Sequence, residues 1–169
     1  MAIAAVARIA AARPALDVAF EVYGRGDSGP PLAAQAAELG IAERVTFHGR
    51  IAIEDVPAAV AAADIGLAPT RHDRFTDMSL STKVFEYAAM GKPVVASRLP
   101  MVERTFPPGT VSSYPPGDSA AMAEAILALV DDPIAREAAV AHTAEIVKTG
   151  SWEHEAKGYL ALVERLIRT

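Results

Sequence analysis

The sequence predicts an α/β domain of doubly wound, Rossmann-like form, a parallel sheet inside a three-layer α/β/α arrangement. Three observations carry that prediction. Short apolar runs with strand alternation take turns with stretches in which apolar residues recur at helical spacing. Strands that alternate with helices pair in parallel, because parallel neighbours need crossover connections, and the helices then cover both faces. A chain of 169 residues, 51% of them apolar, sets a single core as the default.

Each element follows in order. Ile3, Val6, Ile9 and Ala10 mark a helix that stops at Arg13-Pro14, and Val18, Phe20 and Val22 alternate as a strand. Residues 32–39 read as a helix ended by Gly40, Val45-Thr46-Phe47 as a strand, 56–63 as a helix and 65–68 as a strand. After a polar loop, residues 82–90 read as a helix stopped by Gly91 and Pro93, and Val94-Val95-Ala96 as the buried strand behind it. The last strand is short, near residues 110–113. The remainder is helical: residues 118–130, a helix from Pro133 behind the stop and cap Asp131-Asp132, and a helix from Ser151 through Trp152, Ala156, Tyr159, Val163 and Leu166. The chain thus forms one domain over 1–169, a core over 1–150 and a C-terminal helix over 151–169. Trp152 reads as a packing anchor on a helix whose apolar patch promotes association.

Composition narrows the function. The chain has no cysteine, and its four histidines, His48, His72, His142 and His154, have no ligand spacing and read as surface or turn residues, so no metal site is expected. A net charge of −5 with dispersed Lys and Arg gives no footprint for nucleic acid or an anionic membrane. No apolar run reaches the roughly 18 residues of a membrane span, and the alanine-rich opening reads as a helix, so the expected compartment is the cytoplasm.

The stretch Gly24-Arg25-Gly26-Asp27-Ser28-Gly29 contains three motifs at once. As G-x-G-x-x-G it suggests a dinucleotide, but Pro30-Pro31 supply no N–H for a pyrophosphate and predict a helix that starts only after the loop. The acidic ribose ligand expected about 20 residues on is also absent, the next strand tip being His48-Gly49-Arg50. A GDSG serine-nucleophile loop would need a β-barrel around it, and an RGDS ligand an exported protein. A glycine-rich strand-to-helix turn is the reading that survives.

The chemistry concentrates further on, in Met78-Ser79-Leu80-Ser81-Thr82-Lys83-Val84-Phe85-Glu86-Tyr87. Ser79, Ser81 and Thr82 suit a helix N-cap, and Lys83 sits in the first turn, where the macrodipole disfavours a cation by about 0.3–1 kcal/mol. A diphosphate on the N–H groups of this helix start would bind the Lys83 ammonium too. Glu86 shares a helix face with Lys83 and suits ribose hydroxyls; the plainer alternative is a Lys83–Glu86 surface ion pair of about 0.2–0.5 kcal/mol.

These blocks resemble a known family in order and spacing over nearly the whole chain. Phe20-Glu21-Val22-Tyr23-Gly24-Arg25-Gly26, Glu43-Arg44-Val45-Thr46-Phe47-His48-Gly49-Arg50-Ile51, Ala63-Asp64-Ile65-Gly66-Leu67-Ala68-Pro69-Thr70, the stretch from Met78, Pro116-Gly117-Asp118 and the Ser151-Trp152 helix are together similar to the nucleotide-sugar-binding C-terminal domain of family 4 (group 1) glycosyltransferases, the C-terminal half of the GT-B fold. The resemblance implies that Glu86 is the second glutamate of an E-x7-E motif and binds the donor ribose. It implies that Gly49, Arg50 and Ile51 meet the nucleobase through their main chain. Leu80, Ser81, Thr82 and Lys83 would hold the diphosphate, and Gly24 and Gly26 would shape the cleft floor.

Two departures qualify the expectation. Met78 stands where the first glutamate would be, leaving Asp77 or Asp73 to meet the donor sugar, with Asp77 the only catalytic candidate. The family's domain also opens with a strand and an Arg/Lys pair on the leaving diphosphate, whereas this sequence opens in the following helix. The expectation is therefore the donor half of a retaining glycosyltransferase, inactive alone, with a non-catalytic interaction module as the alternative. The implied partners are a UDP-, GDP- or ADP-sugar and an N-terminal acceptor-binding domain. No nucleic acid is expected, and membrane contact only through that other half. The donor is the substrate and no cofactor is implied. Without its central strand the sheet would leave two edges unpaired or close onto itself, and a dimer or exchanged strand would fill the gap.

Overall fold

The computed structural model describes residues 1–168, so the last residue of the expected C-terminal helix, Thr169, lies outside the described residues. Helix α1 (Ala2–Ala12) leads to strand β1 (Phe20–Tyr23), then α2 (Gly29–Glu38), β2 (Val45–Gly49), α3 (Val56–Ala62) and β3 (Gly66–Ala68). Next come α4 (Thr82–Ala89), β4 (Val94–Ser97), α5 (Pro100–Thr105), β5 (Ser112–Tyr114), α6 (Ser119–Asp131), α7 (Pro133–Thr149) and α8 (Trp152–Ile167).

All strand pairs are parallel, as expected, but the strands form two sheets and not one: β1 with β2, and β3-β4-β5 in that order. β1 and β3 are not paired with each other, so the gap anticipated from the sequence persists as two unpaired edges. Helix α1 holds the halves together. Its Ile3 and Val6 pack with Ala36, Ile41 and Val45 over the two-stranded sheet, while Ala5 and Ile9 pack with Val95, Tyr114, Met122 and Leu129 over the three-stranded one. Val18 touches both clusters. Burial of side chains such as Ile3 and Ile9 stabilises by about 1.5–3 kcal/mol each.

The three-stranded sheet has the expected three layers. Every residue of β4 is buried, with Val95 facing α1 and α6, and Val94 and Ala96 facing Val84 of α4 and Val102 of α5. The two-stranded sheet departs from that scheme. Phe20, Val22 and Phe47 face the α1–α2 core, but Glu21, Tyr23, Thr46 and His48 on the other face are exposed, and no residue of α3 is buried.

Local signals were realised where a side chain or a glycine enforces them. Asp118 accepts from the N–H groups of Ala120 and Ala121, Asp132 from Ala135, and Ser151 from His154. Gly40 and Gly91, with φ of 69° and 66°, end α2 and α4 in the left-handed region. Pro30-Pro31 acted differently: α2 begins at Gly29 and takes both prolines into its first turn, where a missing N–H breaks no intrahelical bond. Trp152 is also a correction. The residue is 72% exposed and α8 buries no residue, leaving Tyr159, Leu160, Val163 and Leu166 uncovered, so the anchor role has no partner among the described residues.

Two tyrosines give the fold an alkaline limit. Burial, then the Glu86 carboxylate, pushes the Tyr87 phenol above its ordinary value of 10.0, and burial does the same for Tyr114, whose OH meets the buried Ser97 hydroxyl at 3.2 Å. Above pH 10 the unfolded chain gives up these protons first, so the folded state holds more of them and stability falls as pH rises. Below that pH this contribution is fully present. The urea midpoint should drop between about pH 9 and about pH 11, and Tyr87→Phe/Tyr114→Phe should flatten the drop; an equal drop in the double variant would remove the tyrosines as its cause.

Candidate functional site

The expected ligand residues lie in two groups, each at the carboxyl end of one of the parallel sheets, where ligands bind in open α/β folds. The first follows β1 and β2. Gly24 turns the chain with φ 128° and Gly49 with φ 70°, and the Gly24 N–H donates to the Gly49 carbonyl at 2.7 Å. Glycine adopts these dihedrals without strain. Gly26 sits in the same turn, its carbonyl accepting from Gly29 at 3.2 Å. Arg50 is exposed and Ile51 half-buried beside Gly49.

The second group is the start of α4. Ser81 is its N-cap, in extended conformation, and its hydroxyl caps no N–H. Leu80 packs against the Val84, Val94 and Ala96 cluster and so fixes the approach of the loop. Thr82 and Lys83 are exposed in the first turn, and the alternative reading, a Lys83–Glu86 ion pair, is not formed: neither side chain has a charged partner among the described residues. The macrodipole's penalty on Lys83 therefore stands uncompensated, which suits an anion. Glu86 is exposed on the rim of a shallow cavity of about 320 Å³ lined also by Phe85, Ala89, Val147, Gly150 and Ser151. No hydrogen bond, ion pair or ring contact joins the two groups among the described residues.

The loop between β3 and α4 separates the two acidic candidates. Asp73 is occupied: its carboxylate accepts from the N–H groups of Phe75 and Thr76, and the Thr76 N–H, ahead of the other contacts, holds it below the ordinary carboxylate value. Asp77 meets His72 Nε2 at 2.7 Å. Met78, at the position of the absent glutamate, is 80% exposed. One arrangement was not legible beforehand, the contact of Tyr23, His48 and Glu21 at the tips of β1 and β2. A second cavity of about 410 Å³, between α5 and the edge strand β5, contains none of the expected residues. Among the described residues there is no cluster of three or more metal-ligating side chains and no helix long and apolar enough to cross a membrane.

Comparison with known proteins bears on this geometry. Residues 1–132 match the family model described as "Glycosyl transferases group 1". The chain is 35% identical over 149 residues to the phosphatidyl-myo-inositol mannosyltransferase of Mycobacterium leprae (strain TN), covering 88% of this chain and 38% of that protein. Among solved structures, sucrose-phosphate synthase from Thermosynechococcus elongatus superposes with a TM-score of 0.78 at 24% identity, over 99% of this chain and 42% of its own. A pneumococcal O-GlcNAc transferase, in complex with UDP and GlcNAc, superposes with a TM-score of 0.79 at 17% identity, over 99% of this chain and 33% of its own. The sequence thus spans well under half the length of each.

Proposed function

The chain belongs to the group 1 glycosyl transferases and has their GT-B type of fold, and from that premise we propose that it is the nucleotide-sugar-binding half of a retaining glycosyltransferase. The start of α4 carries the reading: an N-cap hydroxyl without a bond, free N–H groups at Thr82 and Lys83, an unpaired Lys83 ammonium, and an unpaired Glu86 one turn on. In this reading the N–H groups of Thr82 and Lys83 and the Lys83 ammonium receive the diphosphate, and Glu86 accepts from the ribose hydroxyls. The main chain at Gly49, Arg50 and Ile51 meets the base.

Transfer of a hexose from such a donor breaks the bond between its anomeric carbon and the diphosphate oxygen. The protein's part is to orient the donor and to stabilise the charge that grows on the departing diphosphate. Lys83 and the α4 N–H groups do this from one side, and in this reading the acceptor site belongs to a partner domain. The relative named for mannosyl transfer to phosphatidyl-myo-inositol supports a lipid acceptor. The exposed Met78, where a donor-sugar carboxylate is expected, favours a second reading, an interaction module that kept the fold without the chemistry.

Isothermal titration with UDP, GDP and ADP separates the two. One nucleotide should bind, and Glu86→Ala should weaken it about tenfold, equivalent to about 1.4 kcal/mol. Binding that Glu86→Ala leaves unchanged would remove the ribose assignment, and a folded chain that binds none of the three would favour the interaction module.

A further inference from the structure

The tips of β1 and β2 are fastened together beyond what strand pairing requires. Val22 lies opposite Phe47 and Tyr23 opposite Gly49, so β2 carries one residue, His48, that has no counterpart in β1. Such a bulge bends the strand and re-aims a side chain, and is rare in parallel pairs. The His48 ring stacks on Tyr23 with centroids 4.4 Å apart and planes within 7°, and its Nε2 meets the Glu21 carboxylate. One residue further along each strand, the Gly24 N–H donates to the Gly49 carbonyl at 2.7 Å. Two side-chain ties just before the turns and one backbone tie between them therefore hold the turn at residues 24–26 beside the turn at residues 49–51.

These ties lie outside the core. The apolar side of both strands, Phe20, Val22, Val45 and Phe47, is packed against α1 and α2, whereas Glu21, Tyr23 and His48 stand on the exposed face. A ring stack and an imidazole–carboxylate contact in such a place add little to stability. What they do fix is the spacing of two glycine turns at the ligand-binding end of the sheet, each of which would otherwise be free to move on its own. We propose that Tyr23 and His48 are positioning residues, with Glu21 setting the rotation of the imidazole, that lock the two turns into one rigid edge for the donor nucleotide. The proposal rests on the donor-binding reading, since it is the nucleotide that this edge would meet.

The stack and the carboxylate contact are separable by substitution, because His48→Phe keeps an aromatic ring on Tyr23 and loses the contact with Glu21. The chain and its Tyr23→Ala, His48→Ala and His48→Phe variants would be titrated with UDP, GDP and ADP, alongside the hydrogen-exchange rate of the Gly24 amide and the melting temperature. Both alanine variants should bind the nucleotide about tenfold more weakly and release the Gly24 amide faster, with the melting temperature held. His48→Phe should recover most of the affinity. Unchanged affinity in the alanine variants, or a loss that only follows a fall in melting temperature, would overturn the positioning role. If the unaltered chain binds none of the three nucleotides, the donor reading itself fails, and the Gly24 amide then decides the cross-tie: faster exchange in His48→Ala upholds it and an unchanged rate overturns it.

Discussion

Gly66→Ala should destabilise the domain by about 3 kcal/mol, at the upper end for overpacking, and should disturb α4 more than any other helix. A Cβ at Gly66 would stand 2.3 Å from Tyr87 Cγ and 2.8 Å from Tyr87 Cβ. Rotation about χ1 would move Cγ but leaves Cβ where it is, so a rotamer change cannot clear the contact, and α4 itself must shift away from β3. That helix carries Thr82, Lys83 and Glu86, so the displacement reaches the expected ligand residues together. For a domain of this size roughly 2–4 °C of melting temperature goes with each kcal/mol. Adding Tyr87→Ala to Gly66→Ala should restore part of what each loses alone, because the two residues share one contact. Strict additivity in that double variant would show that the clash is not the cause.

Ile9→Ala should cost about 2–5 kcal/mol, the range for a buried large-to-small change. Ile9 is 1% exposed and packs with Ala5, Val95, Tyr114 and Met122, and it sits on the one helix whose buried residues pack over both sheets. The expected signature is loss of hydrogen-exchange protection in β1 and β2 as well as in β3, β4 and β5. Loss confined to the three-stranded sheet would mean that the halves unfold independently and that α1 does not couple them.

What the sequence made legible depended on how local the signal was. β4 was plain because three apolar residues follow a Gly and a Pro, and the caps at Asp118, Asp132 and Ser151 act within three residues of themselves. Helix α5 was not read, although Pro100 at its first position is a valid start signal, because six residues without a capping side chain give no periodicity. The prolines of α2 were misread since their cost falls only inside a helix, and these are at its entrance. At the site, Lys83, Glu86 and the glycine turns were identifiable by type and spacing. The tie between His48 and Tyr23 was not, because it depends on a one-residue bulge between strands whose register the sequence does not carry. The exposure of Trp152 was equally out of reach, since only a folded neighbour decides whether a helix face is covered.

Helix α1 comes first in the chain, yet its outer side chains close onto α6: Arg8 reaches Ser119 and Arg13 pairs with Asp131, at separations of 111 and 118 residues. Closing loops of that length has an entropic cost that grows as about 1.5RT ln n and must be met before any contact repays it. The strands and helices between them can assemble over much shorter spans. The domain is therefore expected to fold from its middle outward, with α1 arriving last as a latch across the two half-sheets. Its lifetime then depends on how quickly that latch releases: loosening it, as in Ile9→Ala, should speed unfolding and leave the rate of folding nearly unchanged.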